Sequence, residues 1–273
     1  NEAALLAARS NKRVVTMSDF ESAKDKVLMG SEKRSMVMDD KEKELTAYHE
    51  AGHALLSLFV DGNDPLHKVT IIPRGQALGV TMSLPEKDRY GYKKSEITAR
   101  LAMMFGGRVA EELIYGNEHV TTGAGNDIKQ ATDLARRMIT EWGMSERLGP
   151  LRYSENEQDI FLGHQVAQRK NLSEYTARLI DEEIHRVIAE AESKAKEVLT
   201  THFDDLHTLA KGLLEYETLS SAEVQKLLNG ESIDRSDPGG GEKAQPGRRA
   251  SVPSSGRNKG GAAGGLEPEP QGS

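Results

Sequence analysis

The sequence predicts a mainly α-helical fold with one small β element and a disordered C-terminal tail, on three observations. Apolar residues recur at spacings of three and four through most of the chain. Only residues 69–82 show strand-like patterning around a turn. Residues 231–273 are rich in Gly and Pro and hold no aromatic residue, so they cannot bury enough surface to offset their ordering entropy.

The 273 residues are 37% hydrophobic and 29% charged, enough for one sizeable domain with appendages or two small ones. A net charge of -7 without a basic stripe excludes nucleic-acid binding as the main task. The chain has no cysteine, which fits a reducing compartment and removes disulfides and thiolate metal sites. No apolar run approaches the roughly 20 residues needed to span a bilayer. The sequence begins at Asn1 within what reads as a running helix, so it is expected to be a piece of a longer protein.

Residues 1–34 read as the end of a different unit. Glu2 to Arg9 is one helix, and Ser18-Asp19-Phe20-Glu21 has the form of a capping box opening a second. That second helix runs through Phe20, Ala23, Val27 and Leu28 and stops at Gly30. From Lys41 a helix continues through Leu45, Tyr48, Gly52, Leu55, Leu56 and Phe59, ended by Asp61-Gly62-Asn63-Asp64-Pro65. Val69–Ile72 and Gly79–Met82 flank the turn-rich Pro73-Arg74-Gly75-Gln76 and predict a hairpin or two adjacent strands. Ser95 then caps one helix through Ile97, Leu101, Met104, Phe105, Val109 and Leu113. Its internal Gly106-Gly107 costs helix stability and signals close backbone packing. Thr121 to Gly125 is a loop feeding a helix over about 126–142. After a polar, partly β-like loop near Ile160-Phe161-Leu162, helices follow over about 173–202, 204–216 and 221–228.

The chemistry concentrates in His49-Glu50-Ala51-Gly52-His53. On a helix, residues i and i+4 share a face, so both imidazoles can reach one tetrahedral zinc. Glu50 then lies beside the open coordination position, where its carboxylate can take a proton from an attacking water.

Two histidines do not complete a catalytic zinc site, which normally has three protein ligands. The extended pattern with a third downstream histidine is absent, because Leu56 and Phe59 occupy its positions. Of the remaining histidines, 67, 119, 164, 185, 202 and 207, only His119 lies close to a loop of interest. Asp127 lies in the first turn of its helix on the apolar face of Ala131, Leu134 and Met138, where a carboxylate needs a partner. Glu111 and Glu112 are competing ligands, and Glu111 can equally support a ligand histidine by hydrogen bonding. Spacing does not choose among them.

Together these segments resemble the peptidase domain of the FtsH family, membrane-anchored AAA zinc metalloproteases. The likeness rests on Thr46 to Ala54, on Gly79-Val80-Thr81 before Leu84-Pro85, and on Phe105 to Glu112. Thr121 to Ile128 with Ala131-Thr132, and Trp142 to Ser145, extend it. It covers about residues 1–230. The resemblance implies that Asp127 is the third zinc ligand and that Glu111 supports the site from behind. It implies a substrate-binding edge at Ile71, Ile72, Gly79, Val80 and Thr81, where an unfolded polypeptide adds as a strand.

It further implies three parts: residues 1–34 as the last helices of an AAA module, 35–230 as the zinc metallopeptidase domain, and 231–273 as tail. The expected activity is zinc-dependent endopeptidase cleavage of unfolded or membrane-extracted proteins, with one Zn2+ per chain. ATP would serve the full-length protein and not this chain, which lacks the phosphate-binding G-x-x-x-x-G-K-[ST] loop. The expected assembly is a homohexamer, held to a bacterial inner membrane by segments outside this sequence with the peptidase facing the cytoplasm, or to an organellar membrane. A zinc that merely supported folding would call for four protein ligands, and the sequence offers three plus an adjacent base.

Overall fold

The structure, a computed structural model, describes residues 1–33, 38–75, 77–85, 87–153 and 172–234. The expected tail beyond residue 234, the loop near Ile160-Phe161-Leu162 and His164 lie outside the described residues.

The N-terminal helices are α1 (Glu2–Arg9) and α2 (Met17–Met29), packed on one another. The cap of α2 is Thr16 rather than Ser18. The Asp19 carboxylate accepts from the Thr16 amide at 2.8 Å and from its hydroxyl at 2.6 Å. The expected apolar stripe is corrected too: Ala23 is buried, but Phe20, Val27 and Leu28 face solvent. The buried face carries Asp19, Ala23, Asp25 and Met29, and Asp25 pairs with Lys68 of the sheet.

Helix α3 (Asp40–Phe59) is the centre of the fold. Asp39 caps it, accepting from the Glu42 amide at 2.7 Å. Ala47, Ala51 and Ala54 are fully buried, small residues that let neighbouring helices approach closely. The closest neighbour is the second half of the predicted Gly-Gly helix. That helix is in fact two, α4 (Lys94–Met104) and α5 (Gly106–Tyr115), parted at Phe105. Lys93, not Ser95, precedes α4, and the Glu96 carboxylate accepts from its amide at 2.8 Å. The glycines explain the break. A Cβ at Gly52 would fall 2.3 Å from the Gly106 carbonyl oxygen, and one at Gly106 would fall 2.7 Å from that of Gly52. Backbone meets backbone, which no longer side chain permits.

Strands β1 (Leu66–Thr70) and β2 (Val80–Ser83) pair antiparallel, Val69 opposite Thr81 and Thr70 opposite Val80. A third strand, β3 (Thr218–Ser220), pairs with the other side of β1, so the order is β2-β1-β3. Thr70 and Thr218 join across that pairing through their hydroxyls at 2.7 Å. Among the described residues β2 has one edge unpaired.

Helix α6 (Gly125–Thr140), the long α7 (Glu174–Thr201), α8 (Phe203–Tyr216) and α9 (Ser221–Leu228) complete the unit Asn1–Ile233. α7 buries Ile180, Ile184, Val187, Ala191, Ala195, Val198 and Leu199, the spacing of one helical face. Ser173 caps it through the Thr176 amide at 3.1 Å. None of the helices among the described residues is long and apolar enough to cross a membrane.

Glu183 sits on the buried face of α7 with no exposed surface. It accepts from Ser145 Oγ at 2.7 Å and from Arg186 Nε and Nη2 at 3.0 and 2.9 Å. The Arg186 hydrogen bonds outweigh burial and, with Ser145, hold its carboxyl down from 4.5 to about 2. The charged form is favoured in the folded chain, so its stabilisation is complete above about pH 4.5 and lost as pH falls towards 2. Glu183→Gln should therefore cost about 2 kcal/mol at neutral pH, discounted for a half-exposed Arg186. Urea melts of both proteins should show that gap closing between pH 4.5 and 2; a gap independent of pH would refute the assignment.

Candidate metal and catalytic site

Helices α3 and α6 bring His49, His53 and Asp127 together. Their nearest nitrogen and carboxylate atoms all lie within 4.8 Å of one another, the metal-competent group found among the described residues. His49 Nε2 and His53 Nε2 are 3.1 Å apart, and Asp127 Oδ2 lies 3.5 and 3.7 Å from them. Tetrahedral zinc with bonds near 2.0–2.1 Å spaces its ligand atoms by about 3.3 Å. The triangle has the size of one tetrahedral face.

Protonation follows from what stands behind each ring. His49 Nδ1 faces Glu111 Oε1 at 2.7 Å, and His53 Nδ1 faces the Met103 carbonyl at 2.8 Å. Both partners accept, so both δ nitrogens donate, and the ε nitrogens of the neutral rings present lone pairs. In that tautomer two nitrogen lone pairs and a carboxylate oxygen converge on one point. That arrangement calls for a cation. Burial opposes charge on His49, but hydrogen bonds to Asp127 and Glu111 and the nearby Glu50 outweigh it and push the ring up to about 10. Burial likewise opposes charge on Asp127, and the two histidines overcome it, holding the carboxyl well below its usual range. A proton on His49 satisfies one pair of acceptors; a divalent cation satisfies all three ligands. Two imidazoles and a carboxylate, without thiolate, suit zinc.

Glycine again makes room. A Cβ at Gly107 would lie 2.3 Å from His49 Cε1 and Nε2, so the ring occupies the space above the α5 backbone. Glu111, fully buried one turn further along α5, also accepts from the Thr121 amide at 2.7 Å. Its two oxygens tie His49 to the loop that leads into Asp127. Burial opposes its charge, and the His49 and Thr121 hydrogen bonds prevail, lowering its pKa.

Glu50 is buried, and Thr81 Oγ1 donates to its Oε2 at 2.6 Å. Glu112 points elsewhere, paired with Lys196 at 2.8 Å. His119 is exposed, as is His185; His67 faces Asp25, His202 pairs with Asp205, and His207 meets the Tyr48 hydroxyl.

Val80 and Thr81 lie on β2, at the unpaired edge of the sheet beside a groove of about 210 Å³, and Gly79 immediately precedes the strand. Val80 to Ser83 form one wall of it, and Arg100 and Met103 of α4 line it as well. Ile71 and Ile72 follow the central strand and are buried, with the Ile71 amide donating to the Glu217 carbonyl at 2.9 Å. The Met103 carbonyl and the Thr121 amide were invisible to motif reading because they are backbone groups.

A family model described as Peptidase family M41 matches residues 36–227. The chain belongs to that family. Proteins named "ATP-dependent zinc metalloprotease FtsH" are similar to it. The one from Caulobacter vibrioides (strain NA1000 / CB15N) is 59% identical over 230 residues, 84% of this chain and 37% of that protein. The one from Magnetococcus marinus is 56% identical over 234 residues, 86% and 34% of the two chains. The one from Haemophilus influenzae is 49% identical over 245 residues, 90% and 39%. This M41 chain thus spans little more than a third of the curated relatives it matches. The family match takes in α3 and α6, the helices that carry the three converging side chains.

Proposed function

We propose that this chain is the proteolytic part of an ATP-dependent protease: a zinc endopeptidase acting on unfolded or membrane-extracted polypeptides. One observation carries the reading, the convergence of His49 Nε2, His53 Nε2 and an Asp127 carboxylate oxygen to within 4.8 Å of one another. His49, His53 and Asp127 would hold one zinc per chain. Bound zinc supplies Lewis-acid activation of water and of the scissile carbonyl. Glu50 takes the proton of the attacking water and returns it to the leaving amine. Glu111 and the Met103 carbonyl keep both rings in the tautomer that leaves the ε nitrogens free to bind metal.

Substrate backbone adds to the open edge of β2 at Gly79, Val80 and Thr81, which reads main chain with little sequence preference. Ile71 and Ile72 contribute to that region from the interior. Residues 1–34 serve as the end of an AAA module and 35–230 as the peptidase domain. The relatives' printed names support coupling to ATP, which this chain does not bind itself. The assembly we propose is a homohexamer anchored in a bacterial inner membrane by segments beyond this sequence, the peptidase facing the cytoplasm.

The zinc-loaded chain should cleave unfolded casein with one zinc per chain, lose activity to a chelator and regain it on zinc addition. Equal cleavage by the metal-free chain would overturn the reading, as would none by the loaded one.

A further inference from the structure

We propose that Thr81 is the positioning residue of Glu50, so that the strand offered to substrate also fixes the base. The inference rests on the peptidase reading above. Thr81 Oγ1 lies 2.6 Å from Glu50 Oε2 and 3.1 Å from the Glu50 carbonyl oxygen. Its single hydrogen goes to the nearer, charged acceptor. A β-branched side chain on an extended backbone has few χ1 choices, so the hydroxyl is held in place.

Gly79 closes the other side. It lies two residues before Thr81, on the same face of the extended segment. A Cβ there would stand 2.6 Å from Glu50 Cγ and 2.7 Å from Oε1. The carboxylate is therefore tucked beneath the edge segment, Oε2 tied to Thr81 and Oε1 against the bare backbone of Gly79. That division selects the reacting oxygen. The proton released by the attacking water passes to Oε1, its O–H bond to the water breaking as the water oxygen bonds to the carbonyl carbon. The same proton leaves Oε1 for the amine as the C–N bond breaks. Oε2 keeps its hydrogen bond throughout.

Thr81→Val keeps the shape and the β-branch and removes only the hydroxyl. With a short unstructured peptide as substrate and the zinc-loaded chain, kcat should fall about 10- to 100-fold, the loss of a hydrogen bond to a charged group, with KM unchanged. Zinc content should stay at the wild-type level, and Thr81→Ser should restore most of kcat. A crystal structure of Thr81→Val should show the Glu50 carboxylate rotated away from Gly79. Gly79→Ala is the independent variant, since it keeps the hydroxyl and displaces the carboxylate; it too should lower kcat with zinc retained. The proposal falls if Thr81→Val keeps wild-type kcat, or if KM alone rises, which would make Thr81 a substrate contact. It falls if serine fails to rescue, if zinc is lost with the hydroxyl, or if Gly79→Ala is fully active. An inactive wild type would remove the peptidase reading itself, whereas an active wild type with an unaffected Thr81→Val removes only this inference.

Discussion

Glu50→Gln should abolish peptide hydrolysis while the chain keeps its zinc. The glutamine carbonyl oxygen can still accept from Thr81, so the side chain stays in the space beneath Gly79. What disappears is basicity, because an amide does not take a proton from water at neutral pH. General-base catalysis contributes about 10²–10⁴-fold, and the loss should fall in kcat rather than KM. None of the three converging metal-binding atoms belongs to Glu50, so metal stoichiometry should remain at the wild-type level. Casein cleavage followed beside zinc content by mass spectrometry separates the two effects. Undiminished hydrolysis in a zinc-loaded Glu50→Gln would remove Glu50 from the mechanism.

Asp127→Asn should release zinc more readily than Glu111→Gln. The first replaces an ionised ligand by a neutral amide and removes a negative charge from the point where lone pairs converge. The second leaves all three ligands in place but breaks their support. A glutamine at 111 has one acceptor oxygen, whereas the carboxylate serves both the His49 ring at 2.7 Å and the Thr121 amide at 2.7 Å. One of those donors must face an NH2 group. Losing such a supporting contact typically weakens metal binding about 10- to 100-fold, and losing Asp127 should exceed that. Competition against a chromogenic chelator measures both. The reverse order would make Glu111 the ligand and Asp127 the support.

The helices were legible where one apolar face repeats at the helical period and ends at a strong signal. α1 and α9 fall on their expected residues, and α3 and α8 begin within one residue of expectation. The errors have physical causes. Gly106 and Gly107 lie in a run of helix-compatible residues, so the break at Phe105 cannot be seen without the opposing Gly52. On α2 the pattern Phe20, Ala23, Val27 and Leu28 is helical, but period alone does not say which face is covered. β3 is three residues long, too short for alternation to show, and exists because Leu219 finds Val69 across the sheet. At the site, the His-Glu-His cluster announced itself through local spacing. Asp127 had no local template and drew attention only as a carboxylate on an apolar face, with its role supplied by resemblance. Backbone partners such as the Met103 carbonyl carry no side-chain signature at all.

The site's parts are scattered along the chain, and this has a consequence for a protein made from its N-terminus. A growing chain exposes His49, Glu50 and His53 first, Glu111 and Asp127 well after them, and the strand that flanks β1 on its far side only near residue 220. Local helix formation alone can set the two histidines side by side, but Asp127 and the carboxylate behind His49 join them only when α5 has packed on α3 and α6 on α4. Hydrolytic competence is thus a property of the finished tertiary structure. A nascent copy, itself an unfolded polypeptide among others, carries Glu50 without the groups proposed to work with it.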